Sequence, residues 1–98
     1  MLRKNYSKTG KICRVTFKYK NPENAEVAAL AGEFNSWSLH ENPMKKLRGG
    51  SFSVTLSLQA GNSYPFRYVL NGDLWRNDED ANGYLPNNHG EENSVVVV

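Results

Sequence analysis

The chain has a single cysteine, Cys13, so no disulfide closes within it and the fold has to rest on its core. It has no apolar run long enough to span a membrane, and its first eleven residues are polar and cationic rather than a secretory leader. A reducing, cytoplasmic setting without a membrane partner is the expectation. Net charge carries little information: 12 Lys plus Arg against 10 Asp plus Glu leave +2, which gives no ground for a nucleic-acid partner. Helical periodicity and internal repeats are also missing. Ninety-eight residues make one domain, large enough for a single core and too small for a core plus an elaborate catalytic apparatus.

The charges that are present are unevenly spread. Arg3, Lys4, Lys8, Lys11, Arg14, Lys18 and Lys20 fill the first twenty residues with no acid among them, whereas six acids from Asp73 onward face only Arg76. Residues 1–11 are expected to form a basic N-terminal arm beside one domain over 12–98, and the cations a solvated strand flank.

What the chain does have is a period of two. Cys13, Val15, Phe17 and Tyr19 alternate with Arg14, Thr16 and Lys18, and Phe52, Val54, Leu56 and Leu58 alternate with serines and a threonine. Both are the pattern of a strand with one wet face, which makes Cys13 a core thiol. Residues 27–32 form a small apolar run, 44–47 a short strand, and 94–98 a closing strand. Over 63–70, Tyr64, Phe66, Tyr68 and Leu70 point one way and Ser63, Pro65, Arg67 and Val69 the other. Pro65 lacks an N–H, which places that strand at an edge or makes its start irregular. Asn71-Gly72 is a hairpin signal that returns the chain through Trp75. The polar stretch 77–93 is expected to hold little regular structure. The fold class that results is all-β, an immunoglobulin-like β-sandwich of six to seven strands, with a small open barrel as the alternative.

Two tryptophans sit where strands end: Trp37 after the small apolar run and Trp75 after the hairpin turn. A large ring there offers a flat apolar face to something outside the fold.

The run Val27-Ala28-Ala29-Leu30-Ala31-Gly32-Glu33-Phe34-Asn35-Ser36-Trp37, the segment Phe66-Arg67-Tyr68-Val69-Leu70-Asn71-Gly72-Asp73-Leu74-Trp75 and the ending Asn93-Ser94-Val95-Val96 resemble the family 48 carbohydrate-binding modules. Those include the glycogen-binding domain of the AMP-activated protein kinase beta subunit and the N-terminal domains of isoamylases and glycogen branching enzymes. The resemblance covers about 12–98 and implies an early-set immunoglobulin-like fold. It implies that Trp37 and Trp75 stack on glucose rings of an α-1,4 glucan, that Arg67 and Asn93 hydrogen-bond to sugar hydroxyls, and that His89 stands in the ligand-gripping loop. Here Arg replaces the lysine of those modules, one extra residue separates Gly72 from Trp75, and His89 replaces an apolar residue.

A glucan is uncharged and heavily hydrated, so its capture needs apolar platforms for C–H faces and fixed donors and acceptors for hydroxyls. Two Trp, one Arg and one Asn meet that need. The competing expectation is a protein-interaction or regulatory module of the same fold that docks on a glycan-active enzyme or a kinase-like complex through a sheet edge near Pro65 or the terminal valines. Asp78-Glu79-Asp80-Ala81-Asn82-Gly83 has the spacing of a calcium loop, but His89 stands at the twelfth position instead of a bidentate Glu and no helices flank it. His40 and His89 are far apart with no Cys in ligand spacing, so neither metal nor cofactor is expected. The acids cluster in one loop and two turns rather than facing each other across a cleft, so the chain is expected to be non-catalytic, an accessory binding module at most.

Overall fold

The computed structural model describes residues 2–98. Among them are nine strands: β1 (Leu2–Tyr6), β2 (Ile12–Tyr19), β3 (Ala28–Gly32), β4 (Lys45–Lys46), β5 (Phe52–Gln59), β6 (Ser63–Leu70), β7 (Leu74–Arg76), β8 (Gly83–Pro86) and β9 (Glu92–Val97), with one 3-10 turn over Glu33–Asn35. All pairings are antiparallel, in two sheets. One has the order β1-β2-β5-β4, the other β3-β6-β9-β8, with β7 added on β6. This is the all-β, immunoglobulin-like sandwich that the alternation predicts.

The register explains why the two sheets face each other. Cys13, Val15, Phe17 and Tyr19 lie opposite Leu58, Leu56, Val54 and Phe52, and directly paired residues share a face. The second sheet contributes Leu30, Phe66, Tyr68, Leu70 and Val96. The centre is aromatic: Phe17 meets Phe66 edge-on at 5.0 Å between ring centres, and Phe66 meets Tyr68 in the same manner at 5.7 Å. Such pairs add about 0.5–1.5 kcal/mol each to what their burial contributes. Cys13 is free and fully buried among these residues.

The structure departs from the sequence expectation at several places. The stretch read as an arm contains β1, which pairs with β2 along its whole length, from Leu2 opposite Phe17 to Tyr6 opposite Cys13. Met1, where that arm begins, lies outside the described residues. The polar stretch 77–93 contains β8, held by β9. Pro65 is not on an edge strand, because β6 has β3 on one side and β9 and β7 on the other. The pairing with β3 stops at Gly32 opposite Phe66, so the missing N–H of Pro65 falls one residue past the end of that ladder. The terminal valines are likewise not an edge, since β9 lies between β6 and β8.

Asp78, spaced like a first calcium ligand, is turned inward and is 1% exposed. Its Oδ2 accepts from the Tyr68 hydroxyl at 2.6 Å and its Oδ1 from the Asp80 N–H at 2.8 Å. Its own N–H donates to Ser94 Oγ at 2.8 Å, and Tyr84 donates to its carbonyl. The carboxylate is therefore an interior hub that ties the 77–82 loop to β6, β8 and β9. Among the described residues no cluster of His, Cys, Asp and Glu has metal-site geometry, and no helix is long and apolar enough to cross a membrane.

Truncating the hub by Asp78→Ala leaves the Tyr68 hydroxyl only the long bond to the Lys18 carbonyl at 3.4 Å and frees the loop bonds, and the expected loss of stability is about 3 kcal/mol, read as a drop in the urea midpoint; millimolar calcium should leave the wild-type midpoint unmoved. Burial, reinforced by the Asp78 charge, pushes the Tyr68 phenol far above the ordinary tyrosine value. A proton held more tightly in the folded chain stabilises it below the ordinary tyrosine pKa of about 10, and that contribution is lost as pH rises beyond it. Tyr68→Phe should therefore show a shallower loss of stability than the wild type between about pH 9 and pH 11, measured by denaturant midpoints at each pH.

Candidate functional site

The outer face of the β3-β6-β9-β8 sheet is set by the strand alternation that builds the core. Phe66, Tyr68 and Leu70 point inward, so Arg67 and Val69 point out. Register places Trp75 and Ala29 on either side of Val69, and Ala31 beside Arg67. Asn93 lies opposite Leu85 on the same outer face. Val69 and Ala31 are nevertheless buried, at 1% and 0% exposure, and the segment following β3 brings Trp37 to the same side as Trp75.

The sequence of that segment accounts for its shape. Gly32 leaves room for the Phe34 ring: a Cβ there would sit 2.6 Å from Phe34 Cζ and 2.8 Å from the Pro65 carbonyl oxygen. Phe34 packs on Phe17 and Tyr64 at 5.9 and 6.1 Å between ring centres, which pins the segment to the core. Asn35 then organises the turn with its side chain. Its Oδ1 accepts from the N–H groups of Gly32 and Ser38 at 3.1 and 3.2 Å, and its Nδ2 donates to the Leu30 carbonyl at 2.9 Å and to Asn42 Oδ1 at 2.7 Å. Ser36 and Trp37 both take the left-handed conformation, φ 55° and 59°, and the Trp37 N–H returns to the Gly32 carbonyl at 2.8 Å. Left-handed backbone at a bulky residue is disfavoured and persists only where its surroundings impose it. The result projects Trp37 outward.

Trp75 comes from the other direction. Asn71 and Gly72 both have positive φ, 51° and 79°, and this tight turn sets β7 against β6. The strand is braced by Arg76, whose Nε donates to Glu23 Oε2 at 2.6 Å, while the Tyr19 hydroxyl donates to Glu23 Oε1 at 2.6 Å. Burial pushes the Glu23 carboxyl up, but the hydrogen bonds from Tyr19 and Arg76 outweigh it and hold the group below the usual carboxylate value. The two indoles stand 6.5 Å apart between centres, tilted 43° to each other, each half-buried.

Arg67 points away from the core, as the alternation predicts, yet it is not open to solvent. It is on the outer face but only 9% exposed, because its guanidinium lies 5.9 Å from the Trp75 ring centre and its Nη1 donates to Glu91 Oε1 at 3.3 Å. The remaining wall is the turn over 87–91 between β8 and β9. Asn87 holds it: its Oδ1 accepts from the N–H groups of His89 and Glu91 at 2.9 and 3.2 Å, its N–H donates to the Glu91 carbonyl at 2.8 Å, and its Nδ2 donates to Asn93 Oδ1 at 3.2 Å.

Together these residues enclose a pocket of about 560 Å³ lined by Trp37, Arg67, Trp75, Asn87, Asn88, His89, Glu91 and Asn93. That volume falls in the range of about 300–1,000 Å³ typical of small-molecule sites. All five residues singled out from the sequence, Trp37, Trp75, Arg67, Asn93 and His89, line this one cavity. Asn87, Asn88 and Glu91 were missed. The signal for them lay in the Asn-rich turn chemistry of Pro86-Asn87-Asn88-His89-Gly90, since Asn side chains bond the backbone two residues on. Apolar ring faces beside amides, an imidazole and one opposed ion pair suit a neutral, hydroxylated ligand.

The family model of the carbohydrate-binding module 48, the isoamylase N-terminal domain, matches residues 5–84. It takes in Trp37, Arg67 and Trp75 and stops before the 87–91 turn and Asn93. No curated protein matches the chain. With four fifths of its length matched, the chain belongs to the family 48 carbohydrate-binding modules.

Proposed function

We propose that the chain is a non-catalytic module that binds α-1,4-linked glucan, such as glycogen, starch or maltooligosaccharide, by stacking glucose rings on Trp37 and Trp75. Arg67, Asn93 and His89 supply hydrogen bonds to sugar hydroxyls. The observation that carries this reading is the tilt of the two indoles over one pocket, 43° between ring planes whose centres are 6.5 Å apart. The α-1,4 linkage turns each glucose relative to the next, so a curved chain presents successive faces at an angle. A β-1,4 glucan is flat and suits coplanar platforms instead. The amide-rich wall supports the same reading, because Asn side chains offer both donors and acceptors to hydroxyls.

The magnitudes point to modest affinity. If each indole loses about 50 Å² of apolar surface to a sugar at about 25 cal/mol/Å², stacking contributes roughly 2–3 kcal/mol in all. A few hydrogen bonds at about 1 kcal/mol net each offset the association entropy, which puts Kd between micromolar and millimolar. Multivalent display along a branched polymer raises the apparent affinity.

Maltoheptaose titrated against the wild type should quench Trp fluorescence with saturation at millimolar concentration or below, and cellohexaose should not. Trp37→Ala and Trp75→Ala should each weaken maltoheptaose binding by about tenfold or more, the equivalent of 1.4 kcal/mol, while keeping a cooperative thermal transition. No response to several millimolar maltoheptaose, or equal response to both sugars, refutes the assignment.

A further inference from the structure

The floor of the pocket holds a buried cation that the fold satisfies sparingly. The Arg67 side chain is 10% exposed, and its Nε, also buried, meets no acceptor among the described residues. The acid it contacts is Glu91, at 3.3 Å. A guanidinium so placed is a planar fork suited to carboxylate, sulfate or phosphate. Left alone in a partly dehydrated cavity it would draw in anionic sugars ahead of neutral ones. Glu91 reverses that preference. Its carboxylate is 61% exposed at the lip of the pocket, so an incoming anion meets a negative charge before it reaches the arginine.

The carboxylate is not what shapes the wall. The turn that carries Glu91 is closed by Asn87, through its side-chain oxygen to the Glu91 N–H and its N–H to the Glu91 carbonyl, and these bonds involve only the Glu91 backbone. The Glu91 side chain takes no part in those turn bonds and is left to pair with Arg67.

We infer that Glu91 is the residue that determines specificity in this pocket: by neutralising Arg67 it restricts the site to uncharged glucans and excludes sulfated or phosphorylated ones. This rests on the glucan-binding reading. The other strand cations do not compete: Arg76 on β7 is held by Glu23 at 2.6 Å, and Arg3, Arg14, Lys18 and Lys45 belong to the β1-β2-β5-β4 sheet, on the far side of the core.

The test compares neutral β-cyclodextrin with sulfated β-cyclodextrin, by calorimetry at pH 8, where imidazole side chains are ordinarily neutral. The quantity read is the ratio of the two dissociation constants, in the wild type, Glu91→Gln and Glu92→Gln. Glu92→Gln removes the same charge from the adjacent residue, which does not line the pocket. The wild type should favour the neutral ring, and Glu91→Gln should shift the ratio toward the sulfated ring by about tenfold or more. Glu92→Gln should shift it by less than about threefold, and the contrast should persist at 150 mM salt, where distant charges are screened. A ratio unchanged by Glu91→Gln overturns the inference, and so does an equal shift from Glu92→Gln, which would assign the effect to net charge. Failure of the wild type to bind neutral β-cyclodextrin at all overturns the glucan reading and this inference with it.

Discussion

Strand β6 has three neighbours, and its strict alternation is the constraint on which both core and pocket depend. Every second residue, Phe66, Tyr68 and Leu70, enters the aromatic centre of the sandwich, and of the two between them on the outer face, Val69 lies beside Trp75 and Arg67 forms the pocket floor. A slip of one residue would carry the arginine into the core and the aromatic rings into water. The two functions of the strand are therefore locked together. β3 fixes the register on one side, β9 and β7 on the other, and the Tyr68 hydroxyl bonded to Asp78 adds a polar pin that only one register satisfies. The stability of the interior and the position of the site floor are one problem with one solution.

Above that floor the site is made by loops, and asparagine side chains shape them. Asn35 closes the turn that presents Trp37, Asn71 opens the turn that presents Trp75, and Asn87 closes the turn that carries His89 and Glu91. The amide group suits this role because it donates and accepts at once and because Asn tolerates left-handed backbone. Asn71 takes φ 51° and its Oδ1 accepts from the N–H groups of Glu26 and Val27, which binds the hairpin to the residues just before β3. Rings held by such side-chain brackets are pre-set before a ligand arrives, which lowers the ordering cost of binding.

The division between what was legible in the sequence and what was not follows from the same physics. β2, β5 and β6 are long and half-buried, so the period of two is written into Cys13 to Tyr19, Phe52 to Leu58 and Tyr64 to Leu70. β1 and β8 are edge strands whose inward positions include Lys4 and an exposed Tyr84; nothing in their composition alternates, and their pairing is imposed by β2 and β9. The five pocket residues were legible individually, but the burial of Arg67 was not. Its cover comes from Trp75 and from Glu91, 24 positions further along the chain, and no local pattern encodes such a meeting. The inward turn of Asp78 was not legible either, because spacing alone does not say which way a carboxylate turns. The answer lay in Tyr68 and Ser94, two polar groups on strand faces that otherwise enter the core.

The electrostatics of the two faces diverge in a way that fits the same picture. The four strands of the β1-β2-β5-β4 sheet contain no Asp or Glu, and Arg3, Arg14, Lys18 and Lys45 share its outer face with Thr16, Ser53, Thr55 and Ser57. In the other sheet the two cations, Arg67 and Arg76, are each bonded to a glutamate, Glu91 and Glu23. Cations thus share the outer face away from the tryptophans, whereas the one arginine on the tryptophan face, Arg67, is paired with Glu91. A neutral polysaccharide gains nothing from a long-range field and loses affinity to any unpaired charge it must dehydrate. Under the proposed reading, local cancellation beside apolar ring faces removes that penalty and leaves ring contact and hydroxyl bonding to hold the sugar.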